Sequence, residues 1–94
     1  MERWTPLTAA SRSGHLDVVR FLCQAGADHD NGTDILHPLI TASQSGHLDV
    51  VRLLCDAGAD KDKEEMSQTP VITASLKGHL DVVMFFVRGW RRQG

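Results

Sequence analysis

One ten-residue segment of the chain alternates apolar and polar positions with the period of a helix. From Leu16 to Ala25 the apolar residues stand at 16, 18, 19, 21, 22, 23 and 25, and only Asp17, Arg20 and Gln24 interrupt them. These three residues recur at intervals of three and four, which places them on one narrow stripe of an α-helix. The wide apolar arc that remains has to be covered from more than one side. The pattern therefore predicts a helix packed between neighbouring elements.

Two sequence features occur three times each at one constant interval. The first is the segment Gly-His-Leu-Asp-Val-Val, at 14–19, 46–51 and 78–83. The second is a proline followed by an apolar residue, at Pro6-Leu7, Pro38-Leu39 and Pro70-Val71. Every interval is 32 residues, and a period of about 20–50 residues indicates stacked structural units. We therefore expect one domain over 1–94, with units at about 4–35, 36–67 and 68–94.

Each unit carries signals for two short helices. The three prolines favour a first helical turn, and the residue before each is taken as its cap: Thr5, His37 and Thr69. The first helix ends about two turns later, where the next glycine stands, and a helix of that length needs packing to be stable. The second helix ends at Gly26 or Gly58 with a left-handed cap. The polar segments 27–36 and 59–68 are predicted to be turns or short hairpins, with Asn31-Gly32 as a tight-turn signal.

These residues resemble the ankyrin repeat. The agreement lies in Thr-Pro-Leu at 5–7, in Gly-His-Leu-Asp-Val-Val at 14–19 and 46–51, and in Ala-Gly-Ala-Asp at 25–28 and 57–60. The resemblance covers almost the whole chain, although the period is 32 residues where 33 is usual. It implies an all-α fold, namely an α-solenoid of helix-turn-helix ankyrin repeats joined by short hairpin-like linkers.

Composition and charge exclude several classes of partner. The chain has 10 Lys plus Arg against 12 Asp plus Glu, and a net charge of -2 gives no general attraction to nucleic acid. It has neither a secretory signal nor the roughly 20 consecutive apolar residues that span a bilayer. A membrane role is not favoured, and we expect an intracellular, cytoplasmic protein. Its two cysteines, Cys23 and Cys55, are interpreted as small core residues of a protein in a reducing compartment.

The repeated histidines and aspartates contain the ligand types of a metal site. They are His15, His47 and His79 with Asp17, Asp49 and Asp81. Because stacked helices lie roughly 8–10 Å apart, equivalent imidazoles form a row and do not converge on one ion. The resemblance implies hydrogen bonding in the interhelix turns instead. The same repetition argues against Ser13 and His15 as nucleophile and base, since catalysis brings different groups to one point. We predict no metal, no cofactor and no enzymatic activity.

Positions that the scaffold does not dictate are the candidate binding residues for a partner protein. In the linkers and at the ends of the first helices they differ from repeat to repeat. The resemblance implies that they face a shared concave surface of hairpin tips and first helices. They are Arg12, Ser13, His29, Asp30, Thr33, Asp34, Leu36, Gln44, Ser45, Lys61, Lys63, Glu65, Met66, Gln68, Leu76 and Lys77.

The third unit departs from the pattern of the other two. Met84 replaces the arginine found at 20 and 52, which leaves 82–87 apolar without interruption, and three arginines follow at 88, 91 and 92. One interpretation is a self-association patch of Met84, Phe85, Phe86 and Trp90 that makes a homo-oligomer, or a weak membrane-surface anchor. The other is the edge of a longer array, or a chain end that buries its aromatic residues locally. Because neither end carries a distinct cap, we also expect marginal stability or self-association.

Overall fold

The computed structural model describes residues 5–25, 36–58 and 69–93. These residues form helices and turns and contain no strand. The helices are α1 Pro6–Ser13, α2 Leu16–Gln24, α3 Leu36–Ser45, α4 Leu48–Asp56, α5 Pro70–Lys77 and α6 Leu80–Gln93. They pair as α1 with α2, α3 with α4, and α5 with α6, which we call repeats one, two and three. The predicted all-α class is confirmed, while most of the two linkers lies outside the described residues.

Threonine caps begin the first helices of repeats one and three. The hydroxyl of Thr5 accepts a hydrogen bond from the backbone N–H of Thr8 at 3.1 Å, and that of Thr69 accepts from Ile72 at 3.3 Å. Pro6 and Pro70 follow in the first helical turn, where a missing N–H costs no hydrogen bond. Both predicted helix starts are confirmed.

Repeat two begins differently, and the prediction for it was wrong. We expected His37 to cap a helix that starts at Pro38, but α3 already begins at Leu36. An imidazole is not among the side chains that cap helices well, so His37 is a poor signal for a helix start. Pro38 still falls inside the first turn, where backbone N–H groups have no intrahelical partner, and the helix therefore tolerates it.

The turn between the helices of each repeat is made by the repeated Gly-His-Leu-Asp-Val segment. The glycines at its start have left-handed φ angles: Gly14 at 78°, Gly46 at 80° and Gly78 at 76°. The aspartates lie in the first turn of the second helices, where negative charge is favourable, and each accepts from the next backbone N–H at 2.8 to 2.9 Å. One short segment therefore ends one helix and begins the next.

The second helices differ in length. Helices α2 and α4 have nine residues each, and Gly58 follows α4 with a positive φ of 107°. Helix α6 has 14 residues and continues through Gly89, at the position where the other repeats have alanine. Gly26, the predicted cap of α2, lies outside the described residues.

The helices form two layers, with α1, α3 and α5 side by side in one and α2, α4 and α6 in the other. The first helices pack more closely on one another than the second helices do. Side-chain size explains the difference, because the first helices meet through alanines and serines whereas the second helices carry valine, leucine and phenylalanine. The core between the layers includes Leu7, Val19, Leu39, Val51 and Leu54.

Consecutive repeats are joined by a hydrogen bond that we call the histidine bridge. Nε2 of His47 donates to the backbone carbonyl of Arg12 at 3.0 Å, and Nε2 of His79 donates to that of Gln44 at 2.9 Å. A carbonyl can only accept, so Nε2 carries the proton in both bridges. The imidazoles lie directly over the preceding interhelix turns: a Cβ added to Gly14 would stand 2.7 Å from the ring of His47. The glycine is therefore needed for its φ angle and for the close approach of the ring.

A pair of glycine substitutions separates these two requirements. Gly14 and Gly78 have nearly the same φ, 78° and 76°, but nothing lies within 4 Å of a Cβ added to Gly78. We expect Gly78→Ala to lower the free energy of unfolding by about 1–2 kcal/mol, the cost of a left-handed alanine. Gly14→Ala should lose about 1–3 kcal/mol more, because the His47 ring is displaced and its bond is broken. Urea denaturation measures both.

The matched variant for this comparison is His47→Ala. In the background of His47→Ala the additional loss caused by Gly14→Ala should shrink to that of Gly78→Ala, since the ring that caused the clash is gone. Equal losses for the two single glycine variants would contradict the role given to the histidine bridge.

Two buried serines in equivalent positions allow a second comparison. Ser11 and Ser43 are both fully buried; the Ser43 hydroxyl donates to the carbonyl of Leu39 at 2.8 Å, whereas the Ser11 hydroxyl has no hydrogen-bond partner among the described residues. Alanine is the better helix former by about 0.5 kcal/mol. We expect Ser11→Ala to raise the free energy of unfolding by about 0.5–1 kcal/mol, because it also removes an unsatisfied hydroxyl. Ser43→Ala should be neutral or destabilising in the same urea titration, and the reverse order would refute the assignment.

Candidate partner-binding surface

The last two residues of each first helix form two parallel rows across the stack. Equivalent positions in stacked repeats lie beside one another, so 12, 44 and 76 make one row and 13, 45 and 77 the other. Ser45 is half-buried, and the other five side chains are exposed: Arg12, Ser13, Gln44, Leu76 and Lys77. The structure thus brings together the six predicted first-helix residues on one face, which we call the first-helix face.

The backbone beneath this face is held independently of its side chains. Just before the rows, Ala10, Ser11, Ala42 and Ser43 are buried between neighbouring first helices. The histidine bridges then bond to the carbonyls of Arg12 and Gln44, not to their side chains. Residue type at these positions can therefore change without loss of the contacts that hold the repeats together.

The described part of the first-helix face is cationic with one apolar position. Arg12 stands in repeat one and Lys77 in repeat three, and none of the six residues is acidic. Leu76 is 70% exposed, which is unusual for a leucine in a helix whose other face packs on a core. The six residues therefore include two cationic side chains and one exposed apolar side chain.

The other predicted binding residues cannot be placed on this face. His29, Asp30, Thr33, Asp34, Lys61, Lys63, Glu65, Met66 and Gln68 lie outside the described residues, as does the side chain of Leu36. Their assignment remains a prediction from the sequence.

The apolar run of repeat three is largely part of the core. Phe86 is 4% exposed, which agrees with the alternative that the aromatic residues are buried locally. The self-association patch stays a prediction. Its neighbour Phe85 is half-buried and contacts it with ring centroids 5.5 Å apart. The guanidinium of Arg52 lies 5.9 Å from the centre of the Phe85 ring, a cation–π contact between repeats two and three. Met84 is half-buried, and the side chain of Trp90 lies outside the described residues.

A shallow groove on the opposite layer was not anticipated from the sequence. It runs between α2 and α4 and is lined by Leu16, Arg20, Gly46, His47, Leu48, Asp49, Arg52, Leu53 and Asp56. Arginines and aspartates alternate along it, which gives mixed charge and no concentration of one sign. The sequence predicts that Arg20 and Arg52 lie on the polar stripes of α2 and α4, and both side chains are exposed.

Two of the three repeated histidines have a structural role. His47 and His79 form the bridges, and in 5–25, 36–58 and 69–93 no three His, Cys, Asp or Glu side chains lie close enough to hold a metal ion. Cys23 and Cys55 are half-buried and pack against the core, as the sequence predicts. Of the described helices, none is both long and apolar enough to cross a membrane.

Comparison with known proteins identifies the repeat. A family model of ankyrin repeats in three copies matches residues 29–91, and a model of the single ankyrin repeat matches residues 2–35. Over 31 residues the chain is 61% identical to the Drosophila melanogaster protein "Ankyrin repeat and KH domain-containing protein mask". Over the same length it is 58% identical to "Ankyrin repeat and KH domain-containing protein 1" of Homo sapiens. Each match covers 33% of this chain and 1% of the relative.

Ankyrin repeats are generally modules for protein–protein interaction. The three-copy model spans well over half of the sequence, and the described helices form the stacked pairs that such repeats require. The chain therefore belongs to the ankyrin repeat family.

Proposed function

We propose that this chain is a noncatalytic interaction module that binds a partner protein on the first-helix face and the neighbouring linker tips. The observation that carries the proposal is the arrangement of that face. Five of its six side chains are exposed, and the row of Arg12, Gln44 and Leu76 differs in every repeat. The backbone carbonyls of Arg12 and Gln44 are held by the histidine bridges. Side chains on a fixed backbone lose little conformational entropy on binding beyond their own rotamers, which favours affinity.

The close packing of the first helices supports a concave binding side. Because small residues let α1, α3 and α5 approach more closely than α2, α4 and α6, the two layers differ in spacing. A stack whose layers differ in this way curves toward the tighter layer. A partner seated on the first-helix face would then meet several repeats at once.

The described side chains favour a partner segment that carries carboxylates beside an apolar group. Arg12 and Lys77 stand at opposite ends of the face, with Leu76 next to Lys77. An apolar partner side chain over Leu76 would remove an exposed leucine from water, and carboxylates would pair with the two cations. An intracellular location belongs to the same proposal, since a chain with only two cysteines, Cys23 and Cys55, has no dense disulfide framework of the kind found in small secreted domains.

A charge-reversal pair tests the face against a matched control. Arg12→Glu with Lys77→Glu changes the first-helix face, and Arg20→Glu with Arg88→Glu makes the same change in net charge at exposed positions of α2 and α6. We expect the face variant to bind captured partner proteins at least about 10-fold more weakly, since it replaces attraction by repulsion at two sites. The control should bind like the wild type. Affinities would be measured by calorimetry with a partner identified by affinity capture.

A second variant addresses the linker residues. Substituting Asp34, Lys63 and Glu65 together with alanine should abolish capture if the linker tips belong to the same surface, while the helical circular dichroism stays unchanged. The proposal fails if the control pair on the second helices loses the partner and both of the other variants retain it.

A further inference from the structure

The first repeat exposes side chains at positions that the other two repeats bury. Val18 is 43% exposed, whereas its equivalents Val50 and Val82 are fully buried. The prolines show the same difference in exposure: Pro6 is exposed, whereas its equivalents Pro38 and Pro70 are buried. In repeats two and three these positions are covered by the preceding repeat. We call this surface, with His15 and Phe21, the leading face.

The third repeat shows the complementary pattern. Ser75 is exposed, whereas its equivalents Ser11 and Ser43 are fully buried. Leu80 is 68% exposed, whereas Leu16 and Leu48 are half-buried beneath the repeat that follows them. We call this surface, with Ile72 and Gly78, the trailing face. None of the described helices covers either face.

The two faces also carry the two halves of a histidine bridge. His15 is equivalent to His47 and His79, but its ring is exposed and bonds no carbonyl in the described part of the chain. At the other end, the carbonyl of Leu76 is equivalent to those of Arg12 and Gln44. The space over Gly78, which an imidazole occupies at Gly14 and Gly46, is open. Within the described residues, one face thus holds an imidazole that bonds no carbonyl, and the other holds the equivalent carbonyl with room for a ring.

An apolar contact supplies a further match. Inside the stack Arg52 of repeat two faces the ring of Phe85 in repeat three. The equivalent pair between two molecules would be Met84 of one copy and Phe21 of the other. Phe21 is 67% exposed, and a thioether against an aromatic ring is a favourable contact that needs no charge. The replacement of arginine by methionine, which occurs only in repeat three, therefore suits that neighbour.

We propose that a second copy of this chain stacks head to tail on the first, with the leading face of one copy on the trailing face of the other. His15 of one copy donates to the Leu76 carbonyl of its neighbour over Gly78, and Val18 and Phe21 cover Ile72, Leu80 and Met84. The faces are different surfaces of the same chain, so the contact is heterologous and open-ended. The interface reproduces the repeat-to-repeat contact that the fold already makes twice.

The stacking leaves the first-helix face accessible. Arg12 and Gln44 remain exposed although another repeat packs behind each of them, so Leu76 should remain exposed in a stacked copy. Self-association and partner binding are therefore separate properties, and a variant can lose one and keep the other.

Sedimentation velocity on the full chain tests the proposal. One repeat-to-repeat contact is a small interface and binds weakly, so concentrations from about 1 μM to 1 mM are needed. We expect the average mass of the wild type to rise steadily with concentration beyond that of a dimer. Phe21→Lys on the leading face and Leu80→Lys on the trailing face should each remain monomeric. An equimolar mixture should form a heterodimer and nothing larger, since each variant keeps the one face that the other lacks.

Two further variants sharpen the result. Leu76→Lys is the matched control, because Leu76 is 70% exposed and Leu80 68%, but the equivalents of Leu76 are exposed in every repeat. It should associate like the wild type. His15→Ala should weaken association by about 5-fold, the effect of one hydrogen bond, with no change in circular dichroism. If Phe21→Lys proves unfolded, Val18→Lys replaces it on the same face.

Three outcomes would overturn the proposal. The first is a wild type that stays monomeric over the whole range. The second is continued self-association of both single-face variants, which would indicate a two-fold interface elsewhere, for instance on the apolar run of α6. The third is loss of association in Leu76→Lys, which would place the contact on the first-helix face.

Discussion

Helices of eight to ten residues are too short to persist in water, and five of the six helices in the described part of the chain are of that length. Each is stable only because neighbours cover its apolar arc. That constraint explains why the second helices carry so few polar positions, with three in nine residues of α2. It also explains why the repeats form a row: a single pair of helices cannot cover both sides of either member, whereas a pair between two others can.

Burial alone would allow adjacent repeats to slide, since apolar contact has no direction. The histidine bridge supplies the direction. It joins a side chain at the start of one second helix to a backbone carbonyl near the end of the preceding first helix, and the glycine below leaves only enough room for the ring. Register is thus fixed by a histidine ring and a backbone carbonyl, and the side chains of the first-helix face take no part in it. The residues of the first-helix face can therefore change to suit a partner while the fold stays the same.

The repeat, the helix order and the interhelix turns could be predicted because each rests on a local rule applied three times. Periodicity located the second helices, and Thr5 and Thr69 located two of the first helices. The start of α3 was misplaced because proline was taken as a boundary, although a first helical turn accepts it at more than one position. The sequence left open whether Phe86 is buried or available to a second molecule, because a continuous apolar run does not tell which side chain points inward. The different exposure of equivalent residues, such as Val18 and Val50, depends on which repeat has a neighbour, and no local pattern records that.

The acceptor of each histidine bridge is a backbone carbonyl, so any residue type can supply it. A duplication that copied any 32-residue unit within this chain would create a new boundary in which glycine, histidine and carbonyl already match. Deletion of a unit would likewise bring two compatible surfaces together. Length in such an array is therefore a freely adjustable quantity, and a lineage could extend or shorten its recognition surface by whole repeats without first having to evolve a new interface.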